Sequence, residues 1–148
     1  MEDDNKKIVC PCQSGKAYKA CCKPLHDKSM IANSAEQLMS SRYSAFVLKN
    51  IPYLIATLHP SSRESNDELV LKQTMAETQW LGLKVIKSVQ KQNTALVEFS
   101  AFYQGDADIE QLHEKSRFIH ENKQWFYLDG EQLPAIKLSR NGGLPRFC

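Results

Sequence analysis

Residues 80–103 read Trp-Leu-Gly-Leu-Lys-Val-Ile-Lys-Ser-Val-Gln-Lys-Gln-Asn-Thr-Ala-Leu-Val-Glu-Phe-Ser-Ala-Phe-Tyr, and most of this stretch has a period of two. Leu83, Val85 and Val89 alternate with Lys84, Ile86 and Ser88. Ala95, Val97, Phe99, Ala101 and Tyr103 alternate with Leu96, Glu98, Ser100 and Phe102. Side chains two apart share one face of a strand, so the stretch reads as two strands joined by a hairpin loop at 90–93. Further loop signals at 104–108 and 121–124 extend it to four strands in an antiparallel meander. Upstream the pattern is helical. Ser34 with Gln37 forms a capping box ahead of a helix over about 35–49, whose inward stripe carries Leu38, Met39, Arg42, Tyr43, Ala45, Phe46 and Lys49. Pro52 opens a short second helix to about Leu58, and His59-Pro60 ends it. Ser65 with Glu68 predicts a third helix, to about Gln79. Helices first and a meander after predict an α+β fold, with the helices covering one face of a curved sheet.

Four of the five cysteines lie between Cys10 and Cys22, as the pairs Cys10 with Cys12 and Cys21 with Cys22, separated by a segment with a Ser14-Gly15 turn signal. Tetrahedral zinc needs four such ligands. Disulfides suit the spacing poorly, because one pair would close a very small ring and the other a strained adjacent one. His26 stands as a reserve ligand. The expected organisation is a zinc-binding motif over 1–28, a connector within 24–33, an α+β domain over 34–138 and a tail over 139–148 that carries Cys148. On this reading the motif is an appendage held by metal, separable from a domain that keeps its own core.

With 148 residues, 42% of them hydrophobic, the chain suits one compact domain. A net charge of +2 is too slight to argue for nucleic acid over the whole molecule. Lys16, Lys19 and Lys23 make the cysteine segment locally basic around Tyr18, a rim suited to an acidic protein surface or to ribosomal RNA phosphates. No run approaches the roughly 18 apolar residues of a spanning helix, so no membrane role is expected. The charged start without an apolar run predicts a cytoplasmic location, where thiols stay reduced.

Polar residues of the helices and strands frame a candidate pocket: Arg42, Tyr43 and His59 from the helices, then Glu98, His113, Glu114, Ser116 and Arg117, with the rings of Trp80 and Tyr127. Each also has a structural reading. Tyr43 and Trp80 read as core rings, His113 and His120 as solvated strand residues, and Arg42 as a buried partner of Glu98 or Glu114. The sequence holds no nucleophile elbow, phosphate loop or paired catalytic signature, which leaves an enzymatic role without support.

Cys-Pro-Cys-Gln-Ser-Gly-Lys-Ala-Tyr-Lys-Ala-Cys-Cys at 10–22 resembles the SEC-C zinc motif found at the tail of SecA-type translocase ATPases. Ala-Glu-Gln-Leu-Met-Ser-Ser-Arg-Tyr-Ser-Ala-Phe at 35–46 resembles the signature of the YchJ family, and the likeness continues through 53–54, 57–60, 80–83, 97–99, 112–118 and 125–130. The resemblance implies a SEC-C zinc knuckle followed by a cone-shaped nuclear-transport-factor-2-like (NTF2-like) domain, and no settled activity. It points to an interaction protein whose knuckle docks on a chaperone, a ribosome or the secretion apparatus. The alternatives are a small-molecule binder or enzyme using the cone, and a redox or metal-handling protein. Gln13 departs from the glycine usual at its place in the motif. If that place needs a positive φ, the strain is about 1 kcal/mol, small beside the roughly 10 kcal/mol or more of zinc binding in knuckle peptides.

Overall fold

The computed structural model describes residues 8–134; the predicted tail at 139–148, with Cys148, lies outside them. Four helices precede four strands: α1 (Lys23–His26), α2 (Ala35–Leu48), α3 (Ile51–Ala56), α4 (Asp67–Glu77), then β1 (Trp80–Lys91), β2 (Thr94–Gln104), β3 (Ile109–Glu121) and β4 (Gln124–Leu133). The strands pair antiparallel in the order β1-β2-β3-β4, the predicted meander. Asn122 and Lys123 both take positive φ in the tight β3–β4 turn, which matches the right-handed twist of the flanking strands. Register shifts between Val85 and Lys87 and between Arg117 and Phe118 bend the sheet around the helices.

Helix α2 forms the wall opposite the sheet. Ser34 Oγ accepts from Gln37 N at 3.0 Å, and Gln37 Oε1 reaches back to accept from Asn33 N at 2.7 Å. At the other end Lys49 takes φ 62 as a left-handed cap and is exposed. It is therefore a terminator rather than a member of the inward stripe. Asn50 Oδ1 caps α3 by accepting from Tyr53 N at 3.2 Å. Helix α4 opens one residue later than the Ser65 box predicts, with Asn66 at the cap position and Asp67 Oδ2 accepting from Glu64 N at 2.8 Å.

The core lies between the helices and the inner sheet face. Leu38 and Leu54 from the helices meet Val97 and Phe118 from β2 and β3, all fully buried. Leu25 of α1 joins the same core, so the segment read as a plain connector anchors the cysteine region to the domain. After α3 the chain runs beside β4, with Tyr127 N donating to Thr57 O and His59 N to Tyr127 O, both at 2.8 Å. This ties the helical layer to the sheet edge. Ser34→Ala removes one cap bond and should lower unfolding stability by about 1 kcal/mol, read as a lower urea midpoint at unchanged denaturant slope.

Candidate functional site

The cysteines sit on a short hairpin and the turn that follows it. Cys10 N donates to Lys16 O and Tyr18 N to Ile8 O, both at 2.9 Å, while Gln13 at φ 65 and Gly15 at φ 89 reverse the chain between them. A 3-10 turn at Tyr18–Ala20 and the start of α1 then bring Cys21 and Cys22 under the hairpin. The four Sγ atoms all lie within 4.8 Å of one another, with Cys12 to Cys21 at 3.6 Å and Cys21 to Cys22 at 3.9 Å. Four metal–sulfur bonds of about 2.3 Å in a tetrahedron require sulfur separations of about 3.8 Å, so the arrangement fits a tetrathiolate ion. Cys10, Cys12 and Cys22 are buried and Cys21 partly so. Hydrogen bonds from Cys12 and Cys22 pull the Cys10 thiol far below its ordinary value, whereas Cys10 pushes Cys12 up to about 11 and Cys22 higher still. The sulfurs share protons in this way; a dication lets all four ionise together.

The knuckle is built into the domain. Ser44 of α2, fully buried, donates its hydroxyl to Cys22 Sγ at 3.3 Å and lies 3.5 Å from Cys10 Sγ. His26 bridges the two parts: Nε2 donates to the Ser41 carbonyl at 2.8 Å, which leaves Nδ1 to accept from the Tyr18 hydroxyl at 2.7 Å. Both ring nitrogens are engaged, so His26 orients the knuckle rather than standing by as a ligand. Gln13 Oε1 accepts from Leu83 N of β1 at 3.0 Å, a tether that glycine at this place cannot make. These contacts couple the knuckle to the domain, where the sequence predicts a separable appendage. Chelation should therefore lower the melting temperature of the whole cooperative transition, followed by near-ultraviolet circular dichroism of the core aromatics. A domain transition unmoved by chelation would restore the separable arrangement.

A cavity of about 260 Å³ opens between α2 and the sheet. Its walls are rich in aromatic side chains, with Tyr43, Phe46, Trp80, Phe99, Phe118 and Tyr127, and its polar groups include Arg42 and Glu114. Arg42 Nη1 donates to Leu54 O at 2.8 Å and Thr57 Oγ1 at 2.6 Å, and the guanidinium sits 4.6 Å from the Tyr127 ring centre. Burial lowers its pKa to about 10, against the opposing pull of Tyr127, Tyr53 and Glu114, and it stays cationic at neutral pH. Glu114 Oε2 accepts from Ser116 Oγ at 2.5 Å and from the Tyr127 hydroxyl at 3.2 Å. Gly130 makes room for that carboxylate, since a Cβ there would approach Oε2 to 2.2 Å. Trp80 Nε1 is buried and has no hydrogen-bond partner among the described residues.

Residues 9–24 match the SEC-C motif, and residues 34–130 match the family described as YchJ, middle NTF2-like domain. The chain belongs to the YchJ family. A UPF0225 protein of Photorhabdus laumondii is 40% identical to this YchJ-family chain over 144 residues, covering 93% of this chain and 91% of the relative. Among solved structures, a SEC-C motif containing protein from Rhodopseudomonas palustris superposes with a TM-score of 0.80 at 36% identity, covering 86% of this chain and all of that one. A SEC-C motif containing protein from Psychrobacter arcticus gives a TM-score of 0.74 at 29% identity, over 90% of this chain and 87% of the other. The helices and curved antiparallel sheet are thus the NTF2-like cone, preceded by the SEC-C segment.

In this YchJ-family cone, Arg42, Tyr43, Trp80, Glu114, Ser116 and Tyr127 line the cavity, and the other residues assigned to a pocket lie elsewhere. Glu98 and His113 pair at 2.6 Å on the opposite sheet face from Phe99 and Glu114, as the period of two requires. Arg117 pairs with exposed Asp129, again facing away from the helices. His59 lies at the sheet edge, edge-on to Phe126 and 3.2 Å from Glu121. Arg42 is the partner of neither glutamate: Glu98 is on the far face, and Glu114, though it shares the cavity, makes no ion pair with it among the described residues. His113 is buried, not solvated, and His120 packs on Trp125 at 5.0 Å. Around the knuckle, Lys16 and Lys19 are exposed, Lys23 pairs with Asp27 at 3.5 Å, and the Tyr18 hydroxyl is bound to His26. The Pro134 carbonyl and then Glu98 raise the His113 pKa above its ordinary value, against burial. This stabilisation is fully present below the unfolded value of about 6.5 and is lost as pH rises through the folded one. His113→Asn should flatten that part of the stability profile, measured by urea unfolding between about pH 5 and pH 8.

Proposed function

We propose that Cys10, Cys12, Cys21 and Cys22 hold one zinc ion in a closed structural site, and that the hairpin carrying them docks on an acidic protein surface of a larger cytoplasmic machine. The zinc reading rests on the donor set: four sulfur ligands at tetrahedral separations, backed by Ser44 and Ser14 hydroxyls, leave no position for water. Freshly purified protein should contain one zinc per chain, with X-ray absorption giving four sulfurs at about 2.3 Å. Less than half an equivalent, or a different metal, overturns it.

The docking reading is carried by one observation, an exposed apolar and basic surface beside the metal site. Ile8 and Val9 are 51% and 61% exposed on the hairpin that pairs with 16–18, next to exposed Lys16 and Lys19. Four thiolates and one Zn²⁺ sum to about −2, which Lys16 and Lys19 offset, so the apolar pair is presented without net repulsion towards carboxylates. Lys23 and Tyr18 contribute less than the sequence implies, because their polar atoms already have partners within the chain. A chaperone, a ribosomal protein or a secretion component would fit. The test is capture with the intact chain, then titration of the purified partner against a Lys16→Gln/Lys19→Gln variant. We expect weakening of about tenfold at low salt and convergence at high salt, with zinc content and melting unchanged. Equal binding by both proteins across the salt range removes the docking surface from the hairpin, and loss of the signal on ribonuclease treatment makes the partner RNA.

A further inference from the structure

The cavity between α2 and the sheet is independent of the hairpin surface, and its chemistry is specific enough to name a class of occupant. Its volume is about 260 Å³. An engineered cavity of about 150 Å³ holds benzene, so this one takes a molecule of about ten non-hydrogen atoms. Six of its lining side chains are aromatic, which favours a planar apolar body.

The polar groups set the rest. Arg42 makes both of its hydrogen bonds through Nη1, and Glu114 accepts both of its own through Oε2. Each side chain is held rigid by one atom, while Nη2 of Arg42 and Oε1 of Glu114 have no hydrogen-bond partner among the described residues. They line one cavity without forming an ion pair, yet are near enough that the carboxylate supports the guanidinium charge. An anion entering between them meets Glu114 and a cation meets Arg42, so a neutral occupant is selected. A carbonyl facing Arg42 with a neighbouring N–H facing Glu114 completes both. The Trp80 ring lines the same cavity, so its indole N–H, buried and without a partner among the described residues, reports on what the cavity holds.

We propose that this cavity is a binding site for a neutral, planar, fused-ring heterocycle that presents a cyclic amide edge to Arg42 and Glu114. Three probes on one fused bicyclic frame separate the possibilities: 2-quinolinone carries the amide edge, naphthalene has none, and 2-naphthoate carries a charged group instead. The readout is the indole N–H signal of Trp80 in ¹⁵N–¹H spectra of the zinc-loaded full chain, assigned by Trp80→Phe; the chain has two tryptophans. We expect 2-quinolinone to shift it saturably with a Kd of about 100 μM, and naphthalene and 2-naphthoate to bind at least tenfold more weakly. Glu114→Gln keeps an acceptor for Ser116 and Tyr127 while removing the charge, and should raise 2-naphthoate affinity at least tenfold. Ala101→Leu, which fills the cavity from β2, should abolish 2-quinolinone binding without lowering the melting temperature. Absence of any saturable shift overturns the proposal. So does naphthalene or 2-naphthoate matching 2-quinolinone on the native chain, or 2-quinolinone binding that survives Ala101→Leu in a folded protein.

Discussion

Four sulfurs packed within 4.8 Å, three of them buried, form an arrangement that only a cation lets ionise fully. Much of the N-terminal geometry serves that constraint. The hairpin turn at Gln13 and Gly15, the 3-10 turn after Tyr18 and the start of α1 each place one ligand or one pair, and none contributes a large apolar area by itself. Ser44 completes the arrangement from the opposite side, because its hydroxyl is the hydrogen-bond donor that a buried thiolate needs. The sulfur cluster is consequently assembled from the SEC-C motif and from one residue of α2 that lies outside it.

Helix α2 is the element on which both sites lean. The Ser44 hydroxyl reaches the sulfurs and the Ser41 carbonyl holds His26, while Met39, Arg42, Tyr43 and Phe46 face the cavity. Two stripes of one helix thus serve two kinds of chemistry. This explains why the helix has little simple amphipathic character: fully buried serines on one side and a cation on another replace the apolar residues that a surface helix would present to a core.

The regular elements were legible because local signals agree with them. The Ser34 cap, the period-two stretch from Trp80 and the turn residues at 121–124 place α2 and the meander without any tertiary information. The pocket was legible only in part, for a reason of parity. His113, Glu114, Ser116 and Arg117 were grouped on one surface, but neighbours on a strand face opposite ways, so only Glu114 and Ser116 share the cavity. The sequence predicts a carboxylate partner for Arg42, because a buried cation usually needs one. Here the carbonyl of Leu54, the Thr57 hydroxyl and the Tyr127 ring take that role. The roles of Gln13, Ser44 and Gly130 depend on what lies opposite them in space, and no spacing rule in the sequence carries that information.

A helix shared by two sites also shares their free energies. Ser44 touches the sulfurs within two residues of Arg42, Tyr43 and Phe46, so a shift of α2 at the cysteines carries these cavity residues with it. Thermodynamic reciprocity follows from that geometry: whatever factor metal occupancy contributes to the affinity of the cavity, an occupied cavity returns the same factor to the affinity for metal. An occupied cone would then help decide how tightly the cysteines keep any cation they take up.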